Sequence, residues 1–124
     1  MNLLDSNIVI AAASRNEEEI DRAVLEMPYS ISGVTRIEVL GFPRLTPEDE
    51  VDLMEFVSGG QELALNETVV ERAIALRQER RMSLGDSIIA ATALVHDLAL
   101  LTRNVDDFRH VAGLKMRNPF VNDN

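Results

Sequence analysis

Short apolar blocks alternate with polar ones along the chain, and their spacing predicts strands and helices in turn. The chain opens at Asn2 with a short apolar strand, after which Asp5, Ser6 and Asn7 offer cap chemistry for a following helix. Over 17–27, Glu17, Glu18 and Glu19 precede Ile20, Ala23, Val24 and Met27. That is the pattern of an amphipathic helix with its acids where the helix dipole favours them, and Pro28 ends it. Residues 29–32 read as a second strand, Gly33 as a break, and 34–40 as a helix punctuated by Gly41-Phe42-Pro43. Thr46-Pro47-Glu48 combines a cap, a proline at the first helical position and an early acid. The helix it starts runs to about Ser58, where Gly59-Gly60 stops it.

Residues 62–65 read as a third strand and 67–82 as a long helix. The apolar face of that helix carries Val69, Val70, Ala73, Ile74 and Leu76, with Arg72, Arg77, Gln78, Arg80 and Arg81 mostly outward. Ser83 caps a helix of another kind, because between Leu84 and Val95 only Asp86, Ser87 and Thr92 are polar. A helix apolar nearly all round is buried. A fourth strand at 99–102, a short helix at 105–110 and a fifth strand at 114–116 follow, and Pro119 onward reads as a tail. Alternating strands and helices imply an α/β fold with a parallel sheet covered on both faces.

The chain of 124 residues suits one domain, placed at 1–120 with a tail at 121–124. With no cysteine, a disulfide framework, thiolate zinc and a cysteine nucleophile are excluded. No apolar run approaches the ~20 residues of a membrane span, and Asp5 interrupts any signal peptide, so the expectation is a cytoplasmic protein with no membrane partner. Twelve basic against twenty-one acidic residues leave a net charge of −9. That argues against passive nucleic-acid binding, but not against an enzyme that sets metal ions between its carboxylates and a phosphate.

Four acidic positions carry candidate chemistry. Asp5 ends the first strand, and open α/β sheets bind ligands at the carboxyl ends of strands. Its bland alternative is a plain helix cap. Asp86 is the one acid in the buried helix, and Ser83-Leu84-Gly85-Asp86 also fits a capping box, as does Thr35-Arg36-Ile37-Glu38. Thr102-Arg103-Asn104-Val105-Asp106-Asp107 follows the fourth strand, where one Asp serves a turn or cap. Gathered at one rim, such carboxylates repel one another and have raised pKa values unless a cation is present. Oxygen donors without His or Cys suit Mg²⁺ or Mn²⁺.

These segments resemble the PIN domain family, most closely its VapC-type toxins. The resemblance rests on Leu4-Asp5-Ser6-Asn7, on 35–40 with Glu38, on 84–93 with Asp86, and on 101–108. It implies a PIN-like three-layer α/β/α sandwich around a mainly parallel sheet of four to five strands. It implies an Mg²⁺-dependent endoribonuclease, with Mn²⁺ as a substitute, working by metal-assisted phosphodiester hydrolysis. Asp5, Glu38 and Asp86 would hold one or two ions, and Thr102 would order the site. The fourth acid is Asp107, with Asp106 as competitor. Many relatives carry an acid where this chain has Asn104, which brings a second metal site into question. Arg36 and Arg103 lie beside proposed ligands and are the candidate phosphate contacts. Arg15, Arg77, Arg80 and Arg81 are remoter, and the 77–81 group reads first as a solvated helix face. His96 and His110 read as cap or surface residues.

The resemblance also implies an RNA substrate, a homodimer, and a cognate antitoxin that blocks the groove; the acidic pocket suggests that an antitoxin arginine reaches the carboxylates in place of metal. Phe42, Leu45, Met54 and Phe56 are candidates for that contact, though core packing is the expected role for most of them. Two rivals stand beside this reading. One is a PIN-like domain that binds metal or RNA and does not cut. The other is a phospho-acceptor domain, disfavoured because the only lysine, Lys115, follows the last acidic motif.

Overall fold

The computed structural model describes residues 1–14 and 20–120. In chain order these form β1 (Asn2–Leu4), α1 (Ser6–Ala13), α2 (Arg22–Leu25), β2 (Tyr29–Ser32), α3 (Gly33–Leu40) and α4 (Pro47–Ser58). Then come β3 (Gln61–Leu63), α5 (Glu67–Glu79), α6 (Leu84–Val95), β4 (Ala99–Leu101), α7 (Val105–Phe108) and β5 (Met116–Arg117). The five strands make one sheet in the order β3-β2-β1-β4-β5, and every pairing is parallel.

The layering follows from neighbouring leucines. Successive side chains on a strand point to opposite faces. Leu3 pairs with Leu100 and Leu4 with Leu101 in the β1–β4 register. Leu3 and Leu100 pack with Val69, Leu76, Ile88, Ile89 and Phe108, which come largely from α5 and α6. Leu4 and Leu101 pack on the other face with Ile8, Val9, Val39, Leu53 and Val57, from α1, α3 and α4. A parallel sheet covered on both faces results, as the expected three-layer α/β/α sandwich requires. Residues 87–93 of α6 are buried, and its polar side chains are satisfied within the helix. Ser87 donates to the Leu84 carbonyl and Thr92 to the Ile88 carbonyl, both at 2.7 Å.

Several local expectations shift. Gly33 is the first residue of α3, because Ser32 caps that helix. The helix read over 67–82 ends at Glu79, where Arg80 turns to extended backbone and Arg77 Nε donates to the Met82 carbonyl at 3.3 Å. The third, fourth and fifth strands occupy Gln61–Leu63, Ala99–Leu101 and Met116–Arg117, and the short seventh helix ends at Phe108. Of the helix expected over 17–27, Glu17, Glu18 and Glu19 lie outside the described residues, and the rest holds only the single turn α2. Ile20 instead makes an antiparallel bridge to Phe120. The Asp21 N–H donates to the Pro119 carbonyl at 2.8 Å, and Asp21 pairs with Arg117 at 2.5 Å. Pro119 and Phe120, read as the start of a tail, are therefore tied to the body, and Phe120 is buried in the core.

The strand order positions the site. From β1 the chain builds outward to β2 and β3 on one side, then returns to β4 and β5 on the other. The direction of progress reverses between β1 and β4, so the loops after these strands part around a crevice. Among the described residues, no helix is long and apolar enough to cross a membrane.

A contrast between two glycines tests the packing. A Cβ at Gly60 would lie 2.5 Å from the ring of Tyr29, which stacks on Phe56 with centroids 4.8 Å apart. A Cβ at Gly33 would meet nothing within 4 Å. Gly60→Ala is expected to cost about 1–3 kcal/mol in urea unfolding. Gly33→Ala should be neutral or stabilising by up to about 1 kcal/mol.

Candidate active site

Asp5 follows β1 directly and Thr102 follows β4. The Asp5 N–H donates to the Leu101 carbonyl at 3.0 Å, which carries the ladder one residue past the strand. Its side chain is 5% exposed. A carboxylate so far out of water needs donors. The Ser6 N–H reaches Oδ1 at 2.8 Å, and the Thr102 hydroxyl reaches Oδ2 at 2.7 Å. The Asn7 amide lies 3.4 Å from the same Oδ2. Asp5 is thus the cap of α1 and the floor of the crevice at once. Around it the two loops are stitched together. The Arg103 N–H donates to Asn7 Oδ1 at 3.1 Å, and the Asn104 N–H to the Thr102 hydroxyl oxygen at 3.0 Å.

Glu38 arrives on α3. The capping box expected at Thr35 is absent. Ser32 Oγ accepts from the Val34 N–H at 3.3 Å, so Thr35 lies inside the helix and Glu38 in its second turn. The Thr35 side chain is buried, and its hydroxyl has no hydrogen-bond partner. The Glu38 carboxylate lies beside Gly85, where a Cβ would be 3.5 Å from Oε2. Asp86 is the next residue, half-buried in the first turn of α6. Here the capping expectation holds: Ser83 Oγ accepts from the Asp86 N–H at 3.1 Å.

The acids feel one another. Glu38 has its pKa raised first by burial, then by the charges of Asp5 and Asp86. Asp86 has its pKa raised by burial and by the charge of Asp5, with a smaller push from Asp107. A hydrogen bond with Ser83 works the other way. Acids from the end of β1, α3, α6 and α7 are thus linked electrostatically, Asp107 through Asp86. Asp106 is engaged elsewhere, with its Oδ1 accepting from Arg109 Nη2 at 2.6 Å and Nε at 3.0 Å. Asn104 begins α7 without a side-chain cap bond.

The basic candidates divide. Arg36 pairs with Glu62 on β3, Nε to Oε1 at 2.5 Å, and is drawn toward that strand instead of the carboxylates. Arg103 lies over Phe120, its guanidinium carbon 4.1 Å from the ring centroid, one residue from Thr102. Arg15 lies outside the described residues.

Among the described residues, no three Asp, Glu or His side chains already stand in a metal-holding group. The donor chemistry still fits a hard divalent cation. All four candidates are carboxylates, and two have proton affinities raised by burial and then by unneutralised neighbours, a charge that a cation would offset.

Sequence reasoning missed two features. An apolar groove of about 330 Å³ runs between α1, α3 and α4, lined by Ile10, Val39, Phe42, Leu45 and Leu53, with Glu38, Asp49 and Asp52 on its wall. Phe42 is 61% exposed there, whereas Phe56 packs on Tyr29. A second cleft, beside α7, is lined by Arg80, Asp106, Arg109 and His110. The adjacent Phe42 and Leu45 hinted at the groove, whereas no local pattern marks the cleft.

Two substitution sets test the site. Thr102→Val removes the hydroxyl from a buried carboxylate and should cost about 1.5–3 kcal/mol of stability, while Thr102→Ser keeps most of it. For Glu38 and Asp86, the folded-state pKa lies above the unfolded one. Their contribution to stability is full below the ordinary carboxylate range and is lost as pH rises through the raised value. In EDTA at pH 7, Glu38→Gln and Asp86→Asn should therefore melt at higher temperature than the parent. The difference should vanish below the ordinary carboxylate range.

Known proteins resemble this chain in sequence and in fold. The PIN domain family matches the chain over residues 3–114. Ribonuclease VapC10 of Mycobacterium tuberculosis is 33% identical over 125 aligned positions, covering 93% of this chain and 91% of that protein. A chain of a toxin–antitoxin complex from Klebsiella pneumoniae is 33% identical with a TM-score of 0.79, over 97% of this chain and 98% of its own. A chain of VapBC2 from Rickettsia felis, bound to a DNA fragment from its promoter, is 20% identical with a TM-score of 0.81. The overlap with it is 94% of this chain and 97% of that one, and the likeness is one of fold. On a family match spanning most of the sequence and a relative one-third identical over nearly its whole length, this chain belongs to the PIN domain family.

Proposed function

We propose that this protein is an endoribonuclease that depends on Mg²⁺, with Mn²⁺ as a substitute, and that it is the toxin of a toxin–antitoxin pair. What supports the reading is that the charges of Asp5 and Asp86 act on Glu38, and those of Asp5 and Asp107 on Asp86, with Asp5 at the crevice where the sheet reverses direction. The relative named a ribonuclease supports the reaction class, and the relative solved within a toxin–antitoxin complex supports the partner.

Asp5, Glu38, Asp86 and Asp107 would hold the cation. When bound, it would supply an activated water and offset charge on the reacting phosphate. The chain's own residues prepare for that. Thr102 holds Asp5 Oδ2, so the most buried carboxylate presents one fixed orientation. Ser83 anchors the start of α6 through the Asp86 N–H, which sets where the Asp86 carboxylate sits. Asp107 is favoured over Asp106 as the fourth acid, since Asp106 is paired with Arg109. Asn104 adds hydrogen-bonding capacity and no charge. Of the two phosphate candidates, Arg103 sits beside Thr102 and over Phe120, while Arg36 is paired with Glu62.

Glu38 stands on the wall of the apolar groove. An antitoxin segment with an apolar face would lie against Phe42 and Leu45, and a cationic side chain at its end would reach Glu38. Such a segment competes with the cation for the same carboxylates.

Cleavage of single-stranded RNA by the purified protein tests the reading. Activity should require Mg²⁺ or Mn²⁺ and stop in EDTA. Asp5→Asn should lower kcat by about 100-fold or more, since even residues that only support a metal ligand are worth about 10–100-fold. Cleavage surviving both EDTA and Asp5→Asn would overturn it.

A further inference from the structure

We propose that the cleft beside α7, lined by Arg80, Asp106, Arg109 and His110, binds a phosphate of the RNA strand adjacent to the one being cut. The proposal rests on the nuclease reading above and adds a subsite to it.

The cleft is an open cavity of about 340 Å³ with only charged or polar side chains in its lining. Arg80 reaches it because α5 ends one residue earlier, at Glu79, and the backbone turns extended. Among the described residues, the Arg80 guanidinium has no carboxylate partner. Arg109 comes from the far end of α7. Its Nε and Nη2 are fixed on Asp106 Oδ1, which orients the guanidinium and leaves Nη1 unspent in that pair. His110 adds an imidazole whose Nε2 is buried with no hydrogen-bond partner. An unpaired buried nitrogen is costly, and a turn of the ring toward an anion in the cleft would satisfy it. After Asp106 offsets one arginine, a net positive charge remains in a chain of net charge −9.

Position gives the cleft its role. Asp106 lines the cleft, while the charge of the next residue, Asp107, acts on Asp86. Consecutive residues on a helix diverge by about 100°. The single turn of α7 therefore separates an acidic centre from a basic cleft. A single strand crossing that turn would lay one phosphate toward the carboxylates and a neighbouring one toward Arg80 and Arg109. Guanidinium forks suit phosphate oxygens. A protein partner is the weaker fit, because interface anchors are aromatic or apolar and this lining has none.

Kinetics on RNAs of different length test the subsite. The substrates are a labelled single-stranded oligonucleotide of about ten residues and versions shortened from each side of the cut down to a dinucleotide. The proteins are the parent, Arg80→Gln, Arg109→Gln, and Arg72→Gln on the exposed face of α5 as a charge-matched control. On the long RNA, Arg80→Gln and Arg109→Gln should raise KM about tenfold with kcat nearly unchanged, and Arg72→Gln should do neither. The salt dependence of binding should weaken by about 0.7 in log–log slope for a lost phosphate contact. On the dinucleotide, which lacks the neighbouring phosphate, all four proteins should perform alike. Equal losses on both substrates, or none on the long RNA, would overturn the subsite. So would an Arg80→Gln protein with intact RNA cleavage and weakened antitoxin binding. Anisotropy with the same RNA in an Asp5→Asn background reads the cleft without chemistry. Absence of Asp5-dependent cleavage by the parent counts against the nuclease reading, whereas an unchanged Kd on adding Arg80→Gln counts against the cleft.

Discussion

A carboxylate held almost wholly out of water is the constraint around which this molecule is arranged. Asp5 must be given donors, and they come from both sides of the sheet's reversal: the Ser6 N–H from its own helix start and the Thr102 hydroxyl from the end of β4. The contact between Asp5 and Thr102 spans most of the chain in sequence, so it forms only once β1 and β4 pair. Register and site are thereby made one condition. With Leu3 against Leu100 and Leu4 against Leu101, Asp5 is delivered beside Thr102. A slip of one residue would turn the leucines to the wrong faces and break the hydrogen bond together.

The remaining acids work against the fold. Glu38 and Asp86 sit where burial and neighbouring charge oppose their ionisation. A structure selected for stability alone would have removed one of them. Each is held by ordinary local devices, Ser32 capping α3 and Ser83 capping α6, which aim side chains that repel one another at a common point. Stability given up at a site is the usual mark of groups kept for their chemistry.

What the sequence made legible follows the range of the interactions. Cap residues, the proline at the start of α4 and the largely apolar make-up of α6 act within a few residues, and those elements appear where expected. The same holds for Asp5, Glu38 and Asp86 as candidates, since each stands in a short motif. Thr35 misled because two hydroxyl residues precede Glu38 and only packing decides that Ser32 is the cap. Phe120 looked like tail because its partner, Ile20, is far away in sequence. Arg36 stood beside Glu38 in sequence, yet pairs with Glu62, a choice made when α3 packs near β3. Between Asp106 and Asp107 no local rule could choose. The first pairs with Arg109, and the charge of the second acts on Asp86.

That last division shows how little structure separates two electrostatic environments. Four residues of helix place Asp107 in the field of the acidic crevice and Asp106 against Arg109 on a basic cleft. With so few basic groups against its acids, the chain has no general attraction for a polyanion to offer. Selectivity for where a strand lies must then come from local pairing. Asp106 contributes by cancelling part of a positive charge while fixing its geometry, so the cleft is oriented more than it is strong. An acidic protein that handles a phosphate backbone is therefore consistent physics, provided its few arginines converge within a strand's reach of its carboxylates.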